Sequence, residues 1–175
     1  MESQSLLDGL KHTYSASVTG LVGVAGDIAT IFGSATTTIR VTRVEFSGVA
    51  TAGANMDVSL VTRSAVDTAG TPAAMTAVPH DSNSPAATAT GLNSYTAAPT
   101  PGTAVGTIRS VKANIGVATT GVENAPQVWD FGNGPKKAVV LRGIAQGLCL
   151  NVGATQAGAL YDIDIEWTEE PRNLA

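Results

Sequence analysis

The sequence predicts an all-β fold, specifically an antiparallel β-sandwich of the jelly-roll type. The 175-residue chain is rich in Ala, Val, Thr, Ser and Gly, and β-branched residues favour strands while Gly marks turns. Several short segments alternate apolar and polar residues, and no stretch has helical periodicity beyond a possible single turn at residues 5–10. The alternating segments number about nine, which favours a jelly roll over an immunoglobulin-like arrangement.

The clearest strand spans residues 161–168, where apolar and polar residues alternate without interruption. Successive side chains of a strand point to opposite faces of the sheet. We therefore expect Ile163, Ile165 and Trp167 to be buried. The acidic residues of this strand should point away from the core, because buried carboxylates would need paired cations. These residues are Asp162, Asp164 and Glu166.

Two other segments change phase, and each change predicts a β-bulge. Ile39 and Val41 are odd-numbered, whereas Val44 and Phe46 are even-numbered. A shift of one residue would turn the second pair outward, so an extra residue is needed near 42–43. The same shift separates Ile108 from the apolar positions that begin at residue 111. The remaining strands are predicted at 12–19, 27–33, 56–60, 127–132, 137–142 and 148–152.

The length predicts one domain, residues 11–170, between an N-terminal tail (1–10) and a C-terminal tail (171–175). Residues 65–106 interrupt the pattern, because they are rich in Ala, Thr, Pro, Ser and Gly. We expect an extended loop that contributes little to the core and is ordered mainly by other subunits or a partner. The alternative is that it packs on its own domain. Its scattered apolar residues would then be anchors: Met75, Val78, Leu92 and Tyr95.

Composition argues against several classes of function. The net charge is −4 and the Lys and Arg residues are dispersed, so a nucleic-acid surface is not expected. The N-terminus does not resemble a signal peptide, and the apolar run at 21–32 is too short to span a membrane, so we expect synthesis in the cytoplasm. The only cysteine, Cys149, predicts a small strand residue rather than a disulfide or a multi-cysteine metal site. No cofactor is expected.

Catalysis is not expected either. The histidines are His12 and His80, and the best candidate for a hydrolase is the tripeptide His80, Asp81 and Ser82. Catalytic groups usually converge from a scaffold rather than follow one another along a loop. The sequence therefore predicts that the protein is not an enzyme, with a hydrolase as the third class considered.

The acidic row Asp162, Asp164 and Glu166 is more consistent with ion pairs than with a metal site. Alternate residues of a strand lie about 7 Å apart, which is too wide for one cation to bind all three. We expect the row to pair with Arg or Lys across the sheet or across an interface, with a calcium site as the alternative. The candidate arginines are Arg40, Arg43, Arg63, Arg109 and Arg142.

Several segments resemble small virion proteins of tailed bacteriophages: residues 37–43, 57–64, 78–87, 106–110 and 162–170. The resemblance covers most of the chain and is one of style rather than of a diagnostic motif. It implies a capsid decoration (cement) protein or head fibre, often a trimer on a β-sandwich, with no catalytic residues. The implied partners are further copies of the chain and the major capsid protein or another virion protein. The implied location is the virion, after synthesis in the bacterial host.

The N-terminal tail is the candidate docking element. Leu6, Leu7 and Leu10 lie on an otherwise polar tail, and three leucines outside the domain need burial. The tail either docks on the capsid or folds back on its own domain. The alternative function for the whole chain is a carbohydrate-binding or adhesin module. Glycan-binding sites usually display exposed aromatic residues, however, and only 5% of the residues of this chain are aromatic.

Overall fold

A computed structural model describes residues 11–119, 125–132 and 138–171. Twelve β-strands form within these residues: β1 (His12–Val22), β2 (Gly26–Phe32), β3 (Thr37–Ala50), β4 (Ala54–Arg63), β5 (Thr71–Ala74), β6 (Val78–Pro79), β7 (Thr90–Ala97), β8 (Ala104–Val117), β9 (Gln127–Asp130), β10 (Val139–Arg142), β11 (Gly147–Val152) and β12 (Leu160–Pro171). The described residues contain no helix, and so none long and apolar enough to cross a membrane. The predicted all-β class is confirmed.

The strands form one curled, mixed sheet in the order β5-β7-β2-β11-β4-β8-β3-β12-β1-β6, with β9 and β10 also paired to β3. We call the strands from β5 to β8 in this order the β4 half, and the rest, with β9 and β10, the β3 half. A parallel pairing of Val49 and Ala50 with Gly116 and Val117 joins the halves, and every other strand pairing is antiparallel. Because the sheet is continuous and curled, the predicted sandwich or jelly roll is not confirmed.

Both halves contribute to one apolar core. Leu60 and Leu150 from the β4 half and Ile163 and Trp167 from the β3 half are each at most 2% exposed and belong to the same cluster. The rings of Tyr14 and Trp167 stack with their centroids 5.7 Å apart. Because the sheet curls, its own two halves enclose the core, where a sandwich would use two separate sheets.

Strand β12 alternates as predicted. Ile163, Ile165 and Trp167 are buried, Asp162 and Asp164 are exposed, and Glu166 is half-buried. The pattern then changes, because Trp167, Thr168 and Glu169 are buried in succession.

Both predicted bulges are present. Glu166 pairs with Arg43 and Trp167 pairs with Val41, so Thr42 is the extra residue between them. In β8, Arg109 pairs with Leu60 and Thr107 pairs with Val61, which leaves Ile108 as the extra residue. Phase changes in the apolar pattern thus identified where the pairing register shifts.

The segment 65–106 differs from the predicted extended loop. It contains β5, β6, β7 and the start of β8, its Met75 and Tyr95 are 8% and 4% exposed, and Met75 belongs to the core cluster. The segment is therefore ordered by its own domain, which was the alternative reading. Its strands are short and rich in Ala and Thr, so main-chain pairing stabilises them without the large alternating apolar side chains that reveal a strand in sequence.

Two substitutions of a branched aliphatic residue by Ala on β12 should separate buried from exposed positions. Ile165 is 3% exposed and Leu160 is 43% exposed. Ile165→Ala should lower the free energy of unfolding by about 2 to 5 kcal/mol, because it removes buried apolar contacts and leaves a cavity. Leu160→Ala should change it by about 0.5 kcal/mol or less. Urea unfolding measures both, and equal losses would contradict the assigned faces of β12.

Candidate functional site

A second buried zone lies on the outer face of the β4 half, away from the core. Alternate residues of β4 and β11 point to this face, among them Val61, Arg63 and Cys149. These three are 8%, 8% and 0% exposed, although the outer face of a sheet is ordinarily solvated. We call residues 64–103 the covering segment. Its two ends, residues 64–68 and 100–103, contact this face, while its β5 and β7 extend the β4 half and its β6 pairs with β1.

A buried ion pair between Arg63 and Asp27 occupies the centre of this zone. Arg63 Nε donates to Asp27 Oδ2 and Nη2 donates to Oδ1, each at 2.8 Å. Asn151 Nδ2 donates to Oδ1 at 2.6 Å, and Arg63 Nη1 donates to the carbonyl of Gly102 in the covering segment at 3.1 Å. Such a bidentate arrangement compensates the cost of burying two charges.

A bulge in β2 turns Asp27 toward this pair. Asn151 pairs with Asp27 and Leu150 pairs with Ala29, so Ile28 is an extra residue on β2. Ile28 and Ala29 both enter the core, while Asp27 points to the outer face. The bulge therefore lets a continuous apolar run carry one buried carboxylate on the opposite face.

Asp67, from the covering segment, is the second carboxyl group at this site. Its Oδ1 accepts a hydrogen bond from Gly102 N at 2.8 Å, whereas its buried Oδ2 has no hydrogen-bond partner among the described residues. Burial raises the pKa of Asp67, and the nearby charge of Asp27 raises it further. At Gly102 a Cβ would lie 1.9 Å from the carbonyl oxygen of Ala65, so this close approach requires glycine.

The cluster does not fit a metal centre, although ligand atoms of Asp27, Asp67 and Cys149 lie within 4.8 Å of one another. Arg63 already neutralises Asp27 at a distance of 2.7 Å. Burial strongly raises the pKa of the Cys149 thiol, which disfavours the thiolate that a metal requires. The geometry instead indicates a fastening between the sheet and its covering segment.

Glu169 provides a second fastening, near the middle of the covering segment. It is 3% exposed, and its carboxylate accepts hydrogen bonds from Thr88 N at 2.9 Å, the Thr88 hydroxyl at 2.6 Å, Ala89 N at 3.1 Å and Trp167 Nε1 at 3.0 Å. These donors satisfy a buried carboxylate without a cation. Glu169 thus ties β12 to the main chain of the covering segment.

Residues of β1 hold the same part of the covering segment. His12 Nδ1 and Ser84 Oγ lie 3.0 Å apart in a hydrogen bond, and the Tyr14 hydroxyl donates to the carbonyl of Pro85 at 2.8 Å. Burial, and then the charge of Glu169, raise the pKa of Tyr14. His12 and Tyr14 therefore help to hold the covering segment against β1.

The tripeptide His80, Asp81 and Ser82 lies in an exposed turn. The Asp81 carboxylate accepts a hydrogen bond from Asn83 N at 2.9 Å, and the Asp81 carbonyl accepts one from Ser84 N at 2.9 Å. In this geometry the aspartate shapes the turn, and it is not hydrogen-bonded to His80 in the described hydrogen bonds. A triad would require that bond.

The acidic row of β12 is held by neutral donors in the described residues. Gly20 N donates to Asp162 Oδ1 at 2.8 Å, the Ser17 hydroxyl donates to Asp164, and the Thr42 hydroxyl donates to Glu166 at 2.8 Å. Four of the five arginines proposed as partners have other contacts. Arg40 pairs with Glu170, Arg43 with Glu45 and Arg63 with Asp27, while Arg109 lies over the Phe131 ring. A role for the row at an interface stays a prediction.

Two surface features lie where β8 leaves β3. Strand β8 pairs with β4 along its length but with β3 only at Gly116 and Val117, so residues 104–113 have a partner strand on one side only within the described chain. A cleft of about 210 Å³ lies beside this edge. It is lined by residues of β3, β8 and β9 and by Ala125, and its polar side chains include Ser47, Lys112 and Gln127.

Leu6, Leu7 and Leu10, the docking residues predicted from the sequence, lie outside the described residues.

Two ion pairs among the described residues of the β4 half offer a matched test of the buried fastening. Asp27→Asn should lower the free energy of unfolding by about 3 to 5 kcal/mol, because it removes the carboxylate that forms two hydrogen bonds with the buried Arg63 guanidinium. Asp57→Asn makes the same change in the ion pair of Asp57 with Lys112, whose side chains are 67% and 71% exposed. This variant should lower the free energy of unfolding by about 1 kcal/mol or less. Urea unfolding measures both, and similar costs would argue against a structural role for Asp27.

Adjacent glutamates on β12 test the second fastening. Glu169→Gln should cost about 1 to 3 kcal/mol, because the amide NH₂ would face main-chain N–H donors. It should also speed hydrogen exchange at Thr88 and Ala89. Glu170→Gln is the control, since the pair of Glu170 with Arg40 is about one-third exposed. If both variants exchange at the wild-type rate at residues 88 and 89, Glu169 does not hold the segment.

No protein-family model matches this chain, and neither the curated proteins nor the solved structures include one that matches it.

Proposed function

We propose that this chain is a non-enzymatic structural protein of a bacteriophage virion, a capsid decoration (cement) or head-fibre protein that binds the capsid surface as a homotrimer. In this proposal the two halves of the curled sheet act as the layers of a jelly-roll sandwich. The observation that carries it is the open edge of β8, supported by the sequence resemblance to small phage virion proteins.

The β8 edge is suited to binding an extended strand. Residues 104–107 are exposed on both faces, and Val105 is 70% exposed. An unpaired strand edge presents a row of N–H and C=O groups to which another chain can add a strand. Bulges at Val105 and Ile108 interrupt the pairing with β4. Bulges limit indiscriminate edge pairing, and we expect this edge to accept a specific partner.

Charge favours a contact between copies of this chain. Asp162 and Asp164 are exposed on the outer face of the β3 half, while Lys112 is exposed on the outer face of β8 and Arg109 is exposed on its opposite face. If β8 of one subunit meets the acidic face of the next, the contact is head-to-tail, and such contacts form a ring when the rotation between subunits closes. A trimeric ring would satisfy both the strand edge and the acidic row.

Attachment to the capsid is assigned to the N-terminal tail. Leu6, Leu7 and Leu10 would insert into an apolar site on the major capsid protein or another virion protein. In this scheme the sheet makes the contacts between subunits and the tail makes the contact with the particle, which places the protein in the virion.

A carbohydrate-binding or adhesin module is the second candidate, and the polar cleft between β8 and β9 favours it. Against it, every Tyr, Phe and Trp of the sequence is at most 7% exposed, so no ring is available to stack on a sugar. Binding to a glycan array that is lost on Gln127→Ala would favour this candidate over the virion role.

The proposal predicts a trimer at micromolar concentration whose formation depends on β8. Val105→Lys should weaken self-association at least about tenfold, because it places a charge at the strand edge. Val22→Lys is the matched control, at a position 56% exposed on β1. Light scattering coupled to size exclusion measures the oligomer. Deletion of residues 1–10 should preserve the trimer and abolish co-sedimentation with phage capsids.

Two outcomes would count against this scheme. A truncated protein that binds capsids with unchanged affinity would refute the docking role of the tail. A wild-type protein that stays monomeric and never sediments with capsids would refute the virion role as a whole.

A further inference from the structure

We propose that Asp67 and Asp27 share one proton, and that the loss of this proton releases the two ends of the covering segment, residues 64–68 and 100–103, from the outer face of the β4 half. The inference does not depend on the proposed virion role. It rests on a pair of carboxyl groups, the buried Asp27 and the half-buried Asp67, that share one cation, Arg63, among the described residues.

The hydrogen bonds leave Asp67 short of a partner. Arg63 directs Nε and Nη2 to Asp27 and Nη1 to the Gly102 carbonyl. Gly102 N occupies Asp67 Oδ1, and Asp67 Oδ2 is buried with no partner among the described residues. As a carboxylate this oxygen would be buried unsatisfied, which is costly. As an acid it is a donor, and an oxygen of Asp27 lies within 4.8 Å of the Asp67 carboxyl group.

The groups that surround Asp67 come from four strands. Asp27 lies on β2, Arg63 on β4, Tyr95 on β7 and Cys149 on β11. Burial raises the pKa of Tyr95 and of the Cys149 thiol, so neither supplies a charge near neutral pH. Arg63 is therefore the one cation among these groups, and it faces two carboxyl groups.

The balance of these effects favours the protonated form of Asp67. Burial raises its pKa most strongly, the charge of Asp27 raises it further, and Gly102 N–H and Arg63 lower it. A group whose pKa is higher in the closed state stabilises that state fully below the open-state pKa. This stabilisation is lost as the pH rises toward the closed-state pKa.

Release should occur at the covering segment rather than within the sheet. Asp27 and Arg63 lie on strands with neighbours on both sides. Asp67 instead lies near the start of the covering segment, and its hydrogen-bond donor Gly102 lies near the end of that segment. Movement of these two stretches into water relieves the repulsion between the buried Asp27 carboxylate and the half-buried Asp67 carboxylate. It also uncovers Cys149, which is 0% exposed.

The single cysteine makes the opening measurable. The rate at which a dithiodipyridine reagent modifies Cys149 in the folded protein is compared between wild type and Asp67→Asn from about pH 4 to about pH 9. The ratio at each pH removes the effect of thiol ionisation. We expect the ratio of wild type to variant to rise by up to about tenfold per pH unit above about pH 4 and then level off at the closed-state pKa.

Asp81→Asn is the control, because Asp81 is exposed on the same segment and should leave the wild-type profile unchanged. A ratio that is constant with pH, or that falls as the pH rises, would overturn the proposal. If Asp67→Asn does not fold, the carboxyl carbon of Asp67 is titrated by NMR in the wild-type protein. A midpoint at or below the ordinary value of about 3.9 would overturn it in the same way.

Discussion

The buried ion pair of Arg63 and Asp27 is the constraint on which this side of the molecule depends. A guanidinium and a carboxylate can stay out of water only if nearly all their donors and acceptors are used. The sheet supplies Asn151, but the donor Nη1 of Arg63 finds its acceptor in Gly102, outside the sheet. The covering segment therefore supplies a hydrogen-bond acceptor that the buried Arg63 needs, and this bond fixes the position of Gly102 beside the sheet.

The second constraint is the curl of the sheet around β3. One edge of β3 pairs with β12, and the other pairs in turn with β10, β9 and β8. The two outermost strands of the sheet, β5 and β6, are joined by residues 75–77, which can span roughly 15 Å at most. The ends of the sheet must therefore lie close together, and Met75 of this link enters the core. Curling in this way protects the outer edges and leaves the middle of β8 open.

The sequence predicted those features that local patterns encode. The odd or even numbering of the apolar residues predicted the two faces of β12 and the bulges at Thr42 and Ile108. This was possible because the two-residue repeat of a strand follows from backbone geometry alone. Strands β5 to β7 escaped prediction, since pairing of the main chain needs no large side chains. The pairing of Asp27 with Arg63 joins residues 36 positions apart, and no local pattern encodes it. Glu169 did carry a signal, because it shares the inward parity of Ile163, Ile165 and Trp167.

The covering segment is ordered although its side chains bury little apolar surface, and hydrogen bonds with Glu169 and Arg63 explain why. Fixing a residue costs roughly 1 to 2 kcal/mol of backbone entropy, and Ala, Thr and Pro side chains bury too little apolar surface to offset it alone. Both fastenings bind main-chain groups: Glu169 accepts from Thr88 N and Ala89 N, and Arg63 donates to the Gly102 carbonyl. Hydrogen bonds to charged groups contribute about 1.5 to 3 kcal/mol each, whatever the side chain of the residue that is bound. A segment of low apolar content can thus be ordered by charges that lie on the sheet beneath it, and its composition then says little about whether it is ordered.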